Sequence, residues 1–152
     1  MHPLSDAELV DRLPDILINH DNKAFYRGWL ERRLLLNRCL QCDTWHHPPK
    51  PVCPECWSDA VVPTPVCGEG TVHLLIRLRQ GPPADGVDYS TPHPVATVEL
   101  AEQEGLRYTS TVIGDGAADV AIGDSVRLTW IERNGAPYPV FERSGASSAS
   151  ER

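Results

Sequence analysis

Two short cysteine motifs, Cys39-Leu40-Gln41-Cys42 and Cys53-Pro54-Glu55-Cys56, are separated by ten residues and decide the fold of the middle of the chain. Each motif places two thiolates on one tight turn, and two such turns can complete a tetrahedron around a divalent ion. Four sulfur ligands leave no exchangeable position, so the pattern predicts a structural metal site. The predicted ligands are Cys39, Cys42, Cys53 and Cys56. Sulfur ligation favours zinc, and it does not by itself exclude iron.

The residues around the motifs predict a zinc ribbon over residues 34–66. Leu34-Leu35-Leu36 leads into the first motif as a short strand, and Val61-Val62 follows the second motif as another. A core of this size does not fold without its metal. Asp43 and Trp57 follow the motifs, where glycine with a positive φ is convenient. Because tryptophan adopts that conformation poorly, we expect a distorted second turn or a Trp57 held by a neighbour.

Residues 1–33 predict a helical arm. Ser5-Asp6-Ala7-Glu8 fits a capping box at the start of a helix over residues 4–20, which Pro14 breaks or kinks. Asp21 or Asn22 can cap a second helix, on which Phe25 and Trp29 share one face. That face either packs on its own domain or docks onto another chain. The sequence leaves these two alternatives open.

From Gly68 onward the hydrophobic period changes to two, which predicts five short strands over residues 67–143. An Asn134-Gly135 turn joins the last two strands. Five strands with little helix between them indicate a small closed barrel of the OB type. The whole chain is therefore predicted to be mainly β with N-terminal helices. The loop from Gln80 to Pro94 is predicted to bind a ligand or partner. Residues 144–152 are predicted to form a flexible tail.

Composition limits the classes of function. The 152 residues include 14 Lys and Arg against 21 Asp and Glu, a formal charge of −7. A generic binder of nucleic-acid phosphates would carry a basic surface instead. No apolar run is long enough to span a membrane, and the first residues lack the pattern of a signal peptide. We therefore expect a cytoplasmic protein that binds neither nucleic acid nor membrane.

The sequence contains no Gly-x-Ser-x-Gly elbow and no phosphate-binding glycine loop. His46 and His47 could act as bases or extra metal ligands, but their position between the cysteine pairs favours surface residues of the ribbon. His73 and His93 could serve acid–base chemistry. Cys67 is predicted to be a buried small hydrophobe rather than a nucleophile.

A basic cluster precedes the first cysteine motif. It contains Lys23, Arg27, Arg32, Arg33 and Arg38 against Glu31 alone. Such a cluster is either a solvated surface or a local anion site, for example for the phosphates of a nucleotide-bearing cofactor.

The order of these motifs resembles the acyl-CoA-associated family, formerly a domain of unknown function, that joins a rubredoxin-like zinc ribbon to an OB fold. The resemblance covers residues 22–142. The motifs that carry it are Phe25–Leu30, Leu36–Cys42, Pro48–Cys56, Gly68–Val72, His93–Leu100 and Ile122–Val126. It implies a non-catalytic partner of a thiolase-superfamily enzyme, or in some relatives of a hot-dog-fold hydratase. In such complexes the ribbon and N-terminal helices contact the enzyme, and the OB domain lies near the acyl-CoA entrance.

We therefore expect an accessory subunit of an acyl-CoA enzyme complex, of the kind that shortens lipid or steroid side chains. The expected partner contacts are Phe25, Trp29, Trp45, Tyr89 and His93, and the expected CoA-phosphate contacts are Arg32, Arg33 and Arg38. Two other hypotheses are a nucleic-acid-binding module of ribbon and OB type and a small enzyme that uses Cys67, His73 or His93.

Overall fold

The computed structural model describes residues 4–85 and 87–144, which form a mainly β protein with two short N-terminal helices. The chain divides into two compact units. The first contains the described residues up to Val66 together with Asn134–Pro137, and the second contains Cys67–Arg133 and the described residues from Tyr138 onward. The predicted flexible tail falls, apart from Ser144, outside the described residues. No helix in the described ranges is long and apolar enough to cross a membrane.

The first helix is shorter than predicted. Helix α1 spans Asp6–Arg12 and begins with the predicted capping box, in which the Ser5 hydroxyl accepts from the Glu8 N–H and the Glu8 carboxylate accepts from the Ser5 N–H. The helix ends before Pro14, because proline lacks an N–H donor and its ring clashes with the preceding turn. The run over residues 4–20 is therefore broken at Pro14, as one of the two expected outcomes, and only its first part is helical. Helix α2 spans Lys23–Leu30.

The first unit contains a three-stranded antiparallel sheet. Its strands are β1 (Leu35–Cys39), β2 (Trp45–His46) and β3 (Val61–Pro65), in the order β2-β1-β3. Residues 35–39 of the central strand pair in register with residues 61–65 of β3. The inward side chains of β1 are buried, Leu36 completely. This sheet positions Cys39 at the end of its central strand.

Apart from the first two residues of its last strand, which the first unit includes, the closed five-stranded barrel lies in the second unit, and it confirms the predicted OB fold. Its strands are β4 (Glu69–Leu78), β5 (His93–Leu100), β6 (Arg107–Ile113), β7 (Ser125–Arg133) and β8 (Ala136–Arg143). They pair in the order β4-β5-β6-β8-β7, and the barrel closes where residues 69–71 of β4 pair with residues 125–127 of β7. The pairing of β6 with β8 is parallel, whereas the other recorded pairings are antiparallel.

The barrel core is made of aliphatic side chains from all five strands and one aromatic ring. The fully buried members include Val72, Val98, Leu100, Val112, Val126, Val140 and Phe141. A β-bulge lies between Val72 and Leu74. The bulge shifts the alternation, so that Leu74 and Ile76 are each 56% exposed although they continue the apolar pattern of Val72.

The long loop of the barrel joins β4 to β5 and covers residues 79–92. It is shorter than the predicted Gln80–Pro94 loop at its far end, because His93 and Pro94 already belong to β5 and pair with Leu78 and Arg77. Pro94 lies at the start of the strand, where proline is tolerated although it has no N–H to donate.

Candidate metal centre

The structure brings the four predicted cysteine ligands together in one cluster. Their sulfur atoms all lie within 4.8 Å of one another. The distance from Cys39 Sγ to Cys56 Sγ is 3.6 Å, as is the distance from Cys42 Sγ to Cys53 Sγ. Zinc–sulfur bonds of about 2.3 Å in a tetrahedron require sulfur atoms about 3.8 Å apart. The cluster therefore has the dimensions and the ligand chemistry of a structural zinc site.

The two cysteine turns have matching backbone geometry. The Asp43 N–H donates to the Cys39 carbonyl at 2.9 Å, and the Trp57 N–H donates to the Cys53 carbonyl at 3.0 Å. The values of φ at Asp43 and Trp57 are +63° and +67°. The second turn is therefore not distorted relative to the first, contrary to one of the two expectations. The Trp57 side chain is 82% exposed, so the alternative of a tryptophan held by its surroundings is also wrong.

Backbone N–H groups donate to two of the cysteine sulfur atoms, and the Thr44 hydroxyl lies beside a third. The N–H of Gln41 donates to Cys39 Sγ and the N–H of Glu55 donates to Cys53 Sγ, both at 3.4 Å. The Thr44 hydroxyl lies 3.2 Å from Cys42 Sγ, and with the Thr44 backbone it lowers the pKa of the Cys42 thiol to about 6. Metal binding requires deprotonated sulfur, so these contacts favour it. Thr44 was not predicted, and its only signal in the sequence is its position two residues after Cys42.

His46 belongs to strand β2 of the ribbon sheet and His47 follows it, and neither is an exposed surface residue as expected. His46 is buried on β2, with Nε2 3.4 Å from the side-chain nitrogen of Asn37. The half-buried His47 ring contacts Phe25, with the ring centroids 5.0 Å apart. Desolvation lowers the pKa of both rings, to about 4 for His47. The cluster of sulfur atoms described above does not include either ring.

The aromatic residues of α2 pack within the first unit. Phe25 and Trp29 are buried, and Tyr26 lies edge-on to both, with ring centroids 4.9 and 4.8 Å apart. The alternative in which this face packs on its own domain therefore holds. The expected partner contacts through Phe25 and Trp29 stay a prediction, although both side chains are buried in this chain. Trp45 is half-buried beneath the Arg38 guanidinium, 5.6 Å from the ring centroid.

Carboxylates neutralise most of the basic cluster. Asp6 pairs with both Lys23 and Arg27, and the hydrogen bond from Arg27 lowers the pKa of Asp6. Arg33 lies 3.3 Å from Glu31, and Arg38 lies 3.3 Å from Asp43. These exposed pairs contribute little to stability, but they reduce the attraction of the cluster for an anion. A role for Arg32, Arg33 and Arg38 at CoA phosphates stays a prediction.

In the second unit, His93 and Tyr89 contact each other. His93 is buried, with Nε2 2.8 Å from the Thr111 hydroxyl, and desolvation followed by the charge of Arg133 lowers its pKa. A partner contact through His93 stays a prediction, and the His93 side chain is already bound to Thr111. Tyr89 is half-buried, with its ring centroid 6.1 Å from that of His93.

The structure does not assemble the candidate catalytic residues. Cys67 is exposed, which corrects its predicted burial. A backbone hydrogen bond from Glu69 lowers its pKa, but desolvation and the Glu102 carboxylate outweigh that effect and raise it, which disfavours the nucleophilic thiolate. His93 pairs with Leu78, five residues along β4 from the exposed His73, so the two histidines lie roughly 16 Å apart along the strand.

Comparison with known proteins agrees with this two-unit structure. Residues 27–62 match the ChsH2 rubredoxin-like zinc ribbon domain, and residues 63–130 match the ChsH2 C-terminal OB-fold domain. The combination of this match with the four-sulfur cluster identifies the metal site as a structural zinc site, as predicted.

Two curated relatives are similar to this chain in sequence. A probable enoyl-CoA hydratase alpha subunit of Thermomonospora curvata is 36% identical over 120 residues, which are 78% of this chain and 36% of that protein. This chain thus spans about a third of that relative. A DUF35 domain-containing scaffold protein of Methanothermobacter thermautotrophicus is 30% identical over 95 residues, which are 62% of this chain and 68% of that protein.

Two solved structures share the fold. A chain of a structure named the Ltp2-ChsH2(DUF35) aldolase superposes with a TM-score of 0.73 at 34% identity, covering 85% of this chain and 98% of that chain. A DUF35-family protein of unknown function from Sulfolobus solfataricus has a TM-score of 0.55 at 15% identity, covering 81% of this chain and 86% of that chain, and it shows the fold alone. The chain belongs to the DUF35 family, in its ChsH2 form of a rubredoxin-like zinc ribbon followed by an OB-fold domain.

Proposed function

We propose that this chain is a non-catalytic accessory subunit that assembles with a thiolase-superfamily enzyme acting on acyl-CoA. The observation that carries this proposal is the match to 98% of a chain from the structure named the Ltp2-ChsH2(DUF35) aldolase. The name of the archaeal relative, a DUF35 domain-containing scaffold protein, supports the same role. The acyl group that we propose is a lipid or steroid side chain.

The chemistry of the chain supports a scaffold rather than a catalyst. Four thiolates occupy all four coordination positions of a tetrahedral zinc ion. The ion then crosslinks the two turns and has no free position for a substrate. Cys67 has a raised pKa, and His93 is bound to Thr111 inside the barrel. The isolated chain is therefore expected to show no turnover of acyl-CoA.

The ribbon carries the apolar side chains best suited to hold a partner. Leu40 and Trp57, one on each cysteine turn, are 64% and 82% exposed. Tryptophan is a common anchor residue of protein interfaces, and an exposed tryptophan gives up few contacts within its own chain when it binds. We propose that these two side chains take the docking role first expected of Phe25 and Trp29, and that the loop over residues 79–92 lies at the acyl-CoA passage.

Affinity purification from the native cells tests this proposal. A tagged chain should retain a thiolase-like protein, identified by mass spectrometry, and a double variant Leu40→Ser/Trp57→Ser should lose it. Ile122→Ser is the matched control, because Ile122 is also 63% exposed but lies in the second unit. Elution of the wild-type chain as a monomer without another protein would count against the proposal.

A hydratase partner is the second candidate. It is favoured by the 36% identity to the probable enoyl-CoA hydratase alpha subunit. The same purification separates the two candidates, because the retained protein is either thiolase-like or a hot-dog-fold hydratase. A nucleic-acid-binding role is disfavoured by the charge of −7 and by the ion pairs that neutralise the basic cluster.

A further inference from the structure

The loop between β4 and β5 is long for a compact barrel, and ordering it costs conformational entropy. Each ordered residue loses backbone entropy, so a loop of this length keeps one conformation only when contacts hold it. Two contacts inside the loop shape its far half. The Val87 N–H donates to the Ala84 carbonyl at 3.2 Å, and the Ser90 N–H donates to the Asp88 carboxylate at 2.9 Å. Neither contact ties the loop to the barrel.

Arg133, the last residue of β7, makes the first contact between the loop and the strands. Its Nε donates to the Asp85 carbonyl at 3.1 Å. Its guanidinium carbon lies 3.8 Å from the ring centroid of Tyr138 on β8. A planar guanidinium can stack on an aromatic face and donate in its own plane at the same time, which lysine cannot do. Tyr138 therefore holds the guanidinium where it can bind the loop.

Tyr89 makes the second contact. Its ring lies edge-on to His93, and its hydroxyl donates to the Pro82 carbonyl at 3.4 Å. His93 is itself bound to Thr111 on β6. A Cβ atom at Gly81 would lie 2.4 Å from the Tyr89 hydroxyl oxygen, so only glycine leaves room for the ring there. Residues 81 and 82 of the loop thus pack against Tyr89, and the Tyr89 ring contacts His93, which is bound to Thr111 in the barrel.

We propose that Arg133 is a latch that holds the described loop residues, 79–85 and 87–92, in one preformed position on the barrel, with the Tyr89–His93 contact as a second clamp. The loop is then an ordered wall rather than a lid that closes on binding. The latch is formed entirely by residues of this chain and needs no partner. Its use at an acyl-CoA passage rests on the proposed function.

Hydrogen exchange of the full chain, followed by mass spectrometry, tests the latch. In the wild type, peptides from residues 79–92 should be protected. Arg133→Gln should raise their exchange rate at least tenfold and leave peptides from β5 and β6 unchanged. Arg107→Gln is the matched control, because Arg107 is also a barrel arginine, paired on the surface with Glu99 at 3.6 Å. It should not change exchange in the loop.

Two further variants keep the test decisive. Gly81→Ala should displace Tyr89 and raise exchange in the loop without touching Arg133. Should Arg133→Gln fail to fold, Tyr138→Leu removes the stacking surface and decides the same question. Unprotected exchange of the loop in the wild type, or equal loop exchange in the wild type and Arg133→Gln, would overturn the latch. Because the chain is measured alone, this result does not depend on whether a partner enzyme is found.

Discussion

Asp43 and Trp57 occupy equivalent positions after the two cysteine motifs, and both adopt the left-handed backbone conformation. The hydrogen bonds from their N–H groups close the two metal turns, at 2.9 and 3.0 Å. A side chain other than glycine in this conformation costs roughly 1–2 kcal/mol. Aspartate tolerates it better than tryptophan does. The second turn therefore keeps its geometry against a local backbone cost, which ligation of both cysteines of the motif offsets.

Replacing Trp57 with glycine should stabilise the zinc-bound chain by about 0.5–1 kcal/mol, since the relief of the left-handed backbone exceeds the entropy that glycine adds to the unfolded state. The exposed indole has little packing to lose. Trp57→Ala is the control, because alanine keeps the backbone cost and should give no such gain. Chemical denaturation of the zinc-loaded proteins measures the difference, and a Trp57→Gly variant less stable than Trp57→Ala would refute this account.

His47 should make stability depend on pH below neutrality. Its pKa is about 4 in the folded chain against an ordinary value of 6.5. Between these values the unfolded chain binds a proton that the folded chain does not, so the free energy of unfolding falls as the pH falls through that window. The contribution is fully present above pH 6.5 and amounts to about 3 kcal/mol.

The His47→Gln variant isolates this effect, because glutamine does not titrate in the window. Zinc release in acid affects both proteins equally, so the informative quantity is the difference between their free energies of unfolding at each pH. That difference should shrink as the pH falls from 6.5 toward 4. A difference that stays constant over this range would show that His47 is not kept neutral by burial.

At the scale of elements, the bulge in β4 decides which apolar side chains enter the barrel core. Leu74 lies just after the bulge and is 56% exposed, whereas Leu100 on the paired strand β5 is 2% exposed. Both residues are leucines, and each occupies an apolar position in the alternating pattern of its strand. Only the extra residue in β4 separates their environments.

Leu100→Ala should therefore cost about 2–5 kcal/mol, because it leaves a cavity in a closed core. Leu74→Ala should change the free energy of unfolding by less than about 0.5 kcal/mol, as expected of an exposed site. Urea denaturation of both variants measures the contrast. Similar losses in the two variants would mean that the bulge does not turn Leu74 outward.

Strand positions were predictable because alternating apolar residues at 95–100 and 126–130 match the period of a strand with one buried face. The bulge was not predictable, because Val72, Leu74 and Ile76 continue the same pattern through it. The length of α1 was overestimated, since apolar spacing continues beyond Pro14 although the helix cannot. In the candidate site the four cysteines were predictable from spacing, but the thiolate contact from Thr44 depends on a turn geometry that spacing does not encode.

At the scale of the whole molecule, the two units depend differently on the metal. The ribbon has a small sheet and a four-sulfur cluster, whereas the barrel has a continuous aliphatic core. Small metal domains derive most of their folding free energy from the bound ion. The barrel strands contain no member of the cysteine cluster.

Removal of zinc should unfold β1–β3 and leave β4–β8 protected from hydrogen exchange. Cys53→Ser should lower zinc content well below one ion per chain, because serine does not replace a thiolate ligand. Cys67→Ser, which changes the fifth cysteine, should keep one ion per chain. Elemental analysis and hydrogen exchange measure both effects, and equal zinc content in the two variants would contradict the assignment of the ligands.

The sequence alone determined the metal site, the strand-rich fold and the order of ribbon and barrel, because cysteine spacing and alternating hydrophobicity are local properties. Tertiary structure alone decided which side chains are available to other molecules. It buried Phe25, Trp29 and His93, exposed Trp57 and Cys67, and gave the basic residues their acidic neighbours. Burial depends on what packs against a side chain from distant parts of the chain, and that information is absent from local sequence.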